Sequence, residues 1–128
     1  MALKIISTNQ APRAIGPYSQ AKEVNGLVFI SGQLPIDPET GKMPESIADQ
    51  TAQSMKNVIA IVKAAGGAEK DILRCGLFIR DMANFGDINT VYAKYFEEDP
   101  PARAVVEVSA LPKGAMIEIE AVAMICEV

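Results

Sequence analysis

The stretch QAKEVNGLVFIS, residues 20–31, decides the fold. Two runs suited to strands, Gln20–Val24 and Leu27–Ser31, flank the pair Asn25-Gly26. A tight two-residue hairpin needs positive φ at both central positions, which Asn-Gly accepts better than almost any other dipeptide. The chain is therefore expected to open with an antiparallel hairpin. Upstream, Lys4–Ile6 reads as a short first strand, and Ala11–Tyr18, with Pro12, Gly16 and Pro17, reads as a loop. Downstream, Pro35–Pro44 carries Asp37-Pro38 and Thr40-Gly41 and reads as a turn region.

A helix is expected to start at Ser46, with Asp49 three residues on as a capping-box variant. Ala48, Ala52, Met55, Ile59 and Val62 recur at steps of four and three, giving one apolar stripe, and Gly66-Gly67 ends it. Ile72–Ile79 follows as a strand. A second helix is expected from Asn84, as N-cap, to Phe96, with Phe85, Ile88, Tyr92 and Tyr95 as its stripe. Pro100-Pro101 stops it, and two strands close the chain, Arg103–Ala110 and Met116–Glu127. The order β-β-β-α-β-α-β-β predicts an α+β fold. It is a single domain over residues 1–128, a mixed sheet with two helices packed on one face. No chain is left to cover the other face, so an oligomer interface is expected there.

Composition narrows the chemistry. With 128 residues and 49% apolar side chains, the chain can bury a core without disulfides or metal. Cys75 and Cys126 have no metal-ligand spacing and read as buried thiols. The head MALKIISTN lacks the apolar run of a signal peptide, and no stretch approaches a membrane span, so the cytoplasm is the expected compartment. A net charge of −4, with scattered Lys and Arg, disfavours nucleic acid. The absence of histidine removes Ser-His-Asp and Cys-His nucleophiles and histidine metal sites. Carboxylates, arginine, tyrosine, amides and water remain.

The last two strands do not alternate cleanly. In the first, Ala104, Val106 and Val108 read as the core face, opposite Arg103, Val105, Glu107 and Ser109. In the second, Ile117, Ile119, Ala121, Ala123 and Ile125 share one face, and Glu118, Glu120, Val122 and Met124 the other. Charges among valines fit a subunit interface enclosing a polar cleft. Each residue also has an ordinary role. An arginine or glutamate on an edge strand is commonly solvated, Tyr18 an aromatic plug, Ser31 a turn former and Asn89 a solvated helix residue.

Three segments together, IGPYSQA (residues 15–21), PARAVVEV (101–108) and IEIEA (117–121), resemble the motifs of the RidA family, the YjgF-type reactive intermediate deaminases. The FISGQ run at 29–33 is similar as well. The resemblance implies a chorismate-mutase-like fold, a homotrimer with clefts between subunits, and no cofactor or metal. It implies hydrolysis of 2-imino acids, typically 2-iminopropanoate and 2-iminobutanoate, to 2-oxo acids and ammonium. Such imines come from enamines released by pyridoxal-phosphate dehydratases. By motif match Arg103 holds the substrate carboxylate and Glu118 handles water, while Tyr18, Ser31, Gly32 and Asn89 line the cleft. Many deaminases of this family carry a cysteine where this chain has Val105.

That chemistry suits the groups available. A guanidinium grips both oxygens of a carboxylate and so fixes the neighbouring C=N. One carboxylate can take a proton from water and return it to the departing nitrogen. Two other functions remain compatible: a 2-oxo-acid-binding regulatory module without turnover, and an endoribonuclease, an activity attributed to some relatives.

Overall fold

The computed structural model of the chain describes residues 3–126. Six strands run as β1 (Leu3–Ile6), β2 (Ala21–Val24), β3 (Leu27–Gln33), β4 (Ile72–Ile79), β5 (Ala102–Glu107) and β6 (Ile117–Met124). The helices are α1 (Ile47–Ala64) and α2 (Phe85–Ala93). The strands form one sheet in the order β1-β2-β3-β6-β4-β5. Only β4 and β5 pair parallel, as expected for neighbours joined through a helix. Both helices pack on one face, so the expected α+β arrangement and element order hold.

The hairpin forms where Asn25-Gly26 puts it, with φ of 50° and 86° at the two positions. Gly26 has a second reason to lack a side chain. A Cβ there would strike the Ile125 carbonyl, which belongs to the segment that follows β6. The start of α1 is capped by Ser46, whose hydroxyl accepts from the Asp49 N–H at 3.1 Å. At its end the Gly66 and Gly67 N–H groups donate to the Lys63 and Val62 carbonyls, the paired bonds of a Schellman cap.

The buried side of α1 is more polar than the stripe suggests. Met55, Ile59 and Val62 are buried, but Ala48 and Ala52 are only half-buried, and Gln50, Thr51, Ser54 and Asn57 enter the core. Three of these four polar side chains are bonded. The Asn57 amide donates to the Leu34 and Ile36 carbonyls at 3.0 and 2.9 Å. Gln50 donates to the Pro44 carbonyl and accepts from the Met116 N–H, both at 2.9 Å. Thr51 bonds back to the Ile47 carbonyl. Together, Asn57 and Gln50 fasten residues 34–44 and the start of β6 to the helix.

Other differences have local causes. Asn84 makes no capping bond. Asp81 caps the short 3₁₀ turn that leads into α2 instead. The helix ends at Ala93 rather than Phe96, because the chain tightens to a Tyr95 N–H to Tyr92 carbonyl bond and the Tyr92 and Phe96 rings meet at 4.9 Å. Strand β3 runs two residues past Ser31, across an irregularity between Ile30 and Gln33. Strand β5 ends at Glu107, short of Ala110, and β6 ends at Met124. The expected last residue of β6, Glu127, lies outside the described residues. Cys75 is buried, but Cys126 is exposed beyond the end of β6.

The largest correction concerns β5. Its two faces group as expected, but their roles are exchanged. Val105 packs against the core on the helix side, whereas Val106 is 45% exposed on the open side with Ala104. The parallel register explains this. Cys75 and Leu77, both buried, pair with Arg103 and Val105, while Gly76 and Phe78 pair with Ala104 and Val106. On β6 the expected faces hold: Ile117, Ile119, Ala121 and Ala123 are buried.

Asn57→Ala is expected to destabilise the fold by about 1–3 kcal/mol, because it strands two backbone carbonyls that the amide now satisfies. Denaturant unfolding at fixed protein concentration measures it, and a loss within error of zero would mean that water replaces the amide.

Candidate functional site

The predicted site residues fall into two groups. The first lines a cleft of about 460 Å³ that contains Tyr18, Ser31, Gly32 and Glu118. Its walls are loops, and a buried amide holds them. Gln20, 4% exposed, accepts from the Thr8 N–H at 2.7 Å and donates to the Thr8 and Pro12 carbonyls at 3.0 and 2.8 Å. This keeps residues 8–12 against β2. Ser31 donates its hydroxyl to the Ser19 carbonyl at 2.6 Å, tying the Tyr18 loop to β3. Tyr18 itself is exposed, with its ring free to form one side of the cleft.

Gly32 sits at the irregularity in β3 and lies directly against Glu118. A Cβ at Gly32 would stand 2.8 Å from the Glu118 carboxyl carbon. Glycine therefore lets the carboxylate rest against backbone. Glu118 is half-buried. Burial pushes its pKa up, and the neighbouring charge of Glu120 pushes it further in the same direction. Both effects disfavour the anion and so raise its basicity, as a group that exchanges a proton with water requires. Glu120, on the same face, is engaged differently, paired with Arg74 at 3.5 Å over Gly76.

The second group surrounds Arg103. Its Nη1 donates to the Asn89 Oδ1 at 2.7 Å. Its Cζ stands over the Phe85 and Tyr92 rings, 5.6 and 4.9 Å from their centroids. Val105, two residues on, shares its face and is half-buried. Cys75 is the cross-strand neighbour of Arg103 on β4. Burial pushes the Cys75 thiol pKa up, opposed in part by the Tyr92 hydroxyl and the two arginines. Asn89 is thus an arginine partner rather than a solvated helix residue. Nothing in the pattern of α2 signalled that Phe85 and Tyr92 flank the guanidinium, since both also fit the helix stripe.

One chain does not bring the two groups together. Arg103 pairs with Cys75 and faces the helices, whereas Glu118 pairs with Phe78 and faces away from them. The two side chains leave opposite sides of the sheet. The open side is also strongly apolar around Glu118 and Glu120, with Phe29 and Val106 51% and 45% exposed. Among the described residues, no three His, Cys, Asp or Glu side chains are grouped as a metal site needs. No helix there is long and apolar enough to cross a membrane.

Comparison with known proteins agrees with this architecture. The family model described as Endoribonuclease L-PSP matches residues 8–125. A RutC family protein of Pyrococcus horikoshii is 49% identical over 94% of this chain and 96% of its own. The mouse 2-iminobutanoate/2-iminopropanoate deaminase is 43% identical over 94% of this chain and 90% of its own. The crystal structure of Escherichia coli TdcF with bound serine superposes with a TM-score of 0.93 at 44% identity, covering 96% of this chain and 99% of that one. With a family model matched along nearly all its length and relatives this similar end to end, the chain belongs to the Endoribonuclease L-PSP family, that of the RidA and YjgF-type proteins and their reactive intermediate deaminases.

Proposed function

We propose that the protein is a cytoplasmic hydrolytic deaminase, converting 2-imino acids such as 2-iminopropanoate and 2-iminobutanoate to 2-oxo acids and ammonium. The clefts that do this are each completed by two copies of the chain. The observation that carries this is the placement of Arg103 and Glu118 on opposite faces of one sheet. A clamp and a base for one small molecule are useful together only when the Arg103 face of one copy meets the Glu118 face of the next. The two faces differ, so the contact is head-to-tail and closes as a ring. Three members is the ring size that the RidA resemblance implies. The bare apolar side around Phe29, Val122 and Met124 supplies the surface for it.

In the completed cleft Arg103 takes the substrate carboxylate and fixes C2 beside Glu118 of the neighbouring copy. Glu118 removes a proton from water as its oxygen bonds to C2. With the imine entering protonated, Glu118 passes that proton to nitrogen; the hydroxyl now on C2 gives its own proton to Glu118 as the C–N bond breaks and the carbonyl forms, and the departing ammonia takes that proton and leaves as ammonium. Asn89 holds the clamp, while Tyr18, Ser31 and Gly32 wall the space around C2. No side chain bonds to substrate, so the chemistry needs no nucleophile at Val105. A module that only senses an oxo acid would gain nothing from a raised-pKa carboxylate beside a bound anion. A ribonuclease would need a basic surface, which a net charge of −4 does not offer.

Arg103→Ala is expected to lose about 2–5 kcal/mol of substrate interaction, with poor recovery by Arg103→Lys, whose ammonium has no fork. Turnover coupled to a threonine dehydratase reads it, and a wild-type rate in the alanine variant would refute the clamp. Glu118→Gln is expected to slow hydrolysis by about 10²-fold or more while 2-oxobutanoate still binds. Glu120→Gln should be milder. Because the Glu120 charge raises the Glu118 pKa, its removal should move the acidic limb of the kcat/KM profile to lower pH. An unmoved limb would mean that another group sets it.

Shared sites have a sharper consequence. Mixing Arg103→Ala and Glu118→Gln chains, each inactive alone, should restore about a quarter of the sites after random subunit exchange into rings. Sedimentation should find a trimer. No recovery in trimers shown to have exchanged would place both groups in one copy's cleft.

A further inference from the structure

Tyr92 is 6% exposed, and its hydroxyl makes no hydrogen bond of ordinary geometry among the described residues. A buried phenol with at most a weak thiol contact is costly, and phenylalanine would fill the same core space without that cost. The hydroxyl lies beside the Cys75 thiol, and burial pushes the pKa of both groups up, so both are neutral. The ring, in contrast, is fully used. Its face lies 4.9 Å from the Arg103 Cζ, with Phe85 at 5.6 Å and Asn89 holding Nη1. Arg103 is on an edge strand and is exposed, a setting in which a long side chain ordinarily samples many rotamers.

We propose that Tyr92 is a positioning residue for the carboxylate clamp. With Phe85 and Asn89, its ring holds the Arg103 guanidinium in one orientation before substrate arrives. Part of the fork is then already spent on Asn89, and the rest is presented to the cleft. The parallel pairing of β4 with β5 makes this possible. It sets Arg103 level with Cys75, directly under the α2 residue whose ring is largest and most buried. The role rests on Arg103 being the clamp, and it predicts an effect on substrate binding more than on the chemical step, since the ring never touches C2 or water. A preformed donor lowers the ordering cost of binding.

Tyr92→Leu removes the aromatic face and keeps an apolar side chain. The expected result is a rise of about 3- to 30-fold in KM and in the 2-oxobutanoate Kd, the range of one cation–π contact, with kcat changed less. Tyr92→Phe, which keeps the ring and removes only the hydroxyl, should recover most of that affinity. In an Arg103→Ala background, Tyr92→Leu should add nothing to the binding loss. Calorimetry with 2-oxobutanoate and steady-state turnover measure all of these in the intact assembly. Unchanged binding in Arg103→Ala would overturn the clamp itself. Lost binding in Arg103→Ala, with wild-type affinity in Tyr92→Leu, would overturn the positioning role alone. An equal loss of kcat and affinity in both backgrounds would also overturn it, as the mark of a general packing defect. If Tyr92→Leu does not fold, Phe85→Leu carries the same test at the more exposed ring, and a wild-type KM there rejects the cage.

Discussion

Successive residues of a β-strand point to opposite faces, and this chain has helices for only one of them. Nearly every feature of functional interest follows from that mismatch. The helix-covered face holds the isoleucines of β6 and the buried β4 residues, and it forms the core of the single chain. The other face keeps phenylalanine, valine and methionine beside two glutamates and an arginine, a surface that water suits poorly. Alternation then sends Arg103 and Glu118 apart, so two residues that the family motifs single out together stand on opposite sides of the sheet.

The loops that frame the cleft are short of regular structure, and buried amides replace it. Gln20, Gln50 and Asn57 each reach across to backbone that no strand or helix satisfies. Such a network is rigid when complete and expensive when broken, because each amide leaves several polar groups stranded in the interior. It fixes the loop from Thr8 to Tyr18 and the segment after β3 without adding bulk, and so leaves room for the cleft.

Much of the fold was legible in the residues themselves. Asn25-Gly26, the Ser46 cap, the paired glycines after α1 and the alternation of β6 each have a local physical cause and fall where they were expected. The face of β5 was misread because Ala104, Val106 and Val108 are more apolar than Arg103, Val105 and Glu107. Apolarity identifies a face to be covered, but it does not say whether the cover comes from the same chain. Arg103, Glu118 and their cleft neighbours stood out only through the family motifs. The aromatic pair around Arg103 could not be seen at all, since it depends on a register between parallel strands that no sequence spacing encodes. The buried amides on α1 were similarly hidden, because their partners are distant backbone carbonyls.

The sheet order carries a consequence for how the molecule comes into being. Strand β6 is the last of the six described strands in sequence yet lies between β3 and β4, so two blocks, β1-β2-β3 and β4-β5, have no shared edge until it arrives. While the chain is still being synthesised, both blocks present an unpaired strand edge, and α1 lies over a gap. Pairings this distant in sequence form slowly and leave sticky edges in the meantime. Strand β6, made after the other five, therefore joins the two halves. The Ile125 N–H closes onto the Gly26 carbonyl at 2.7 Å, so the segment after β6 locks onto the turn of the β2-β3 hairpin.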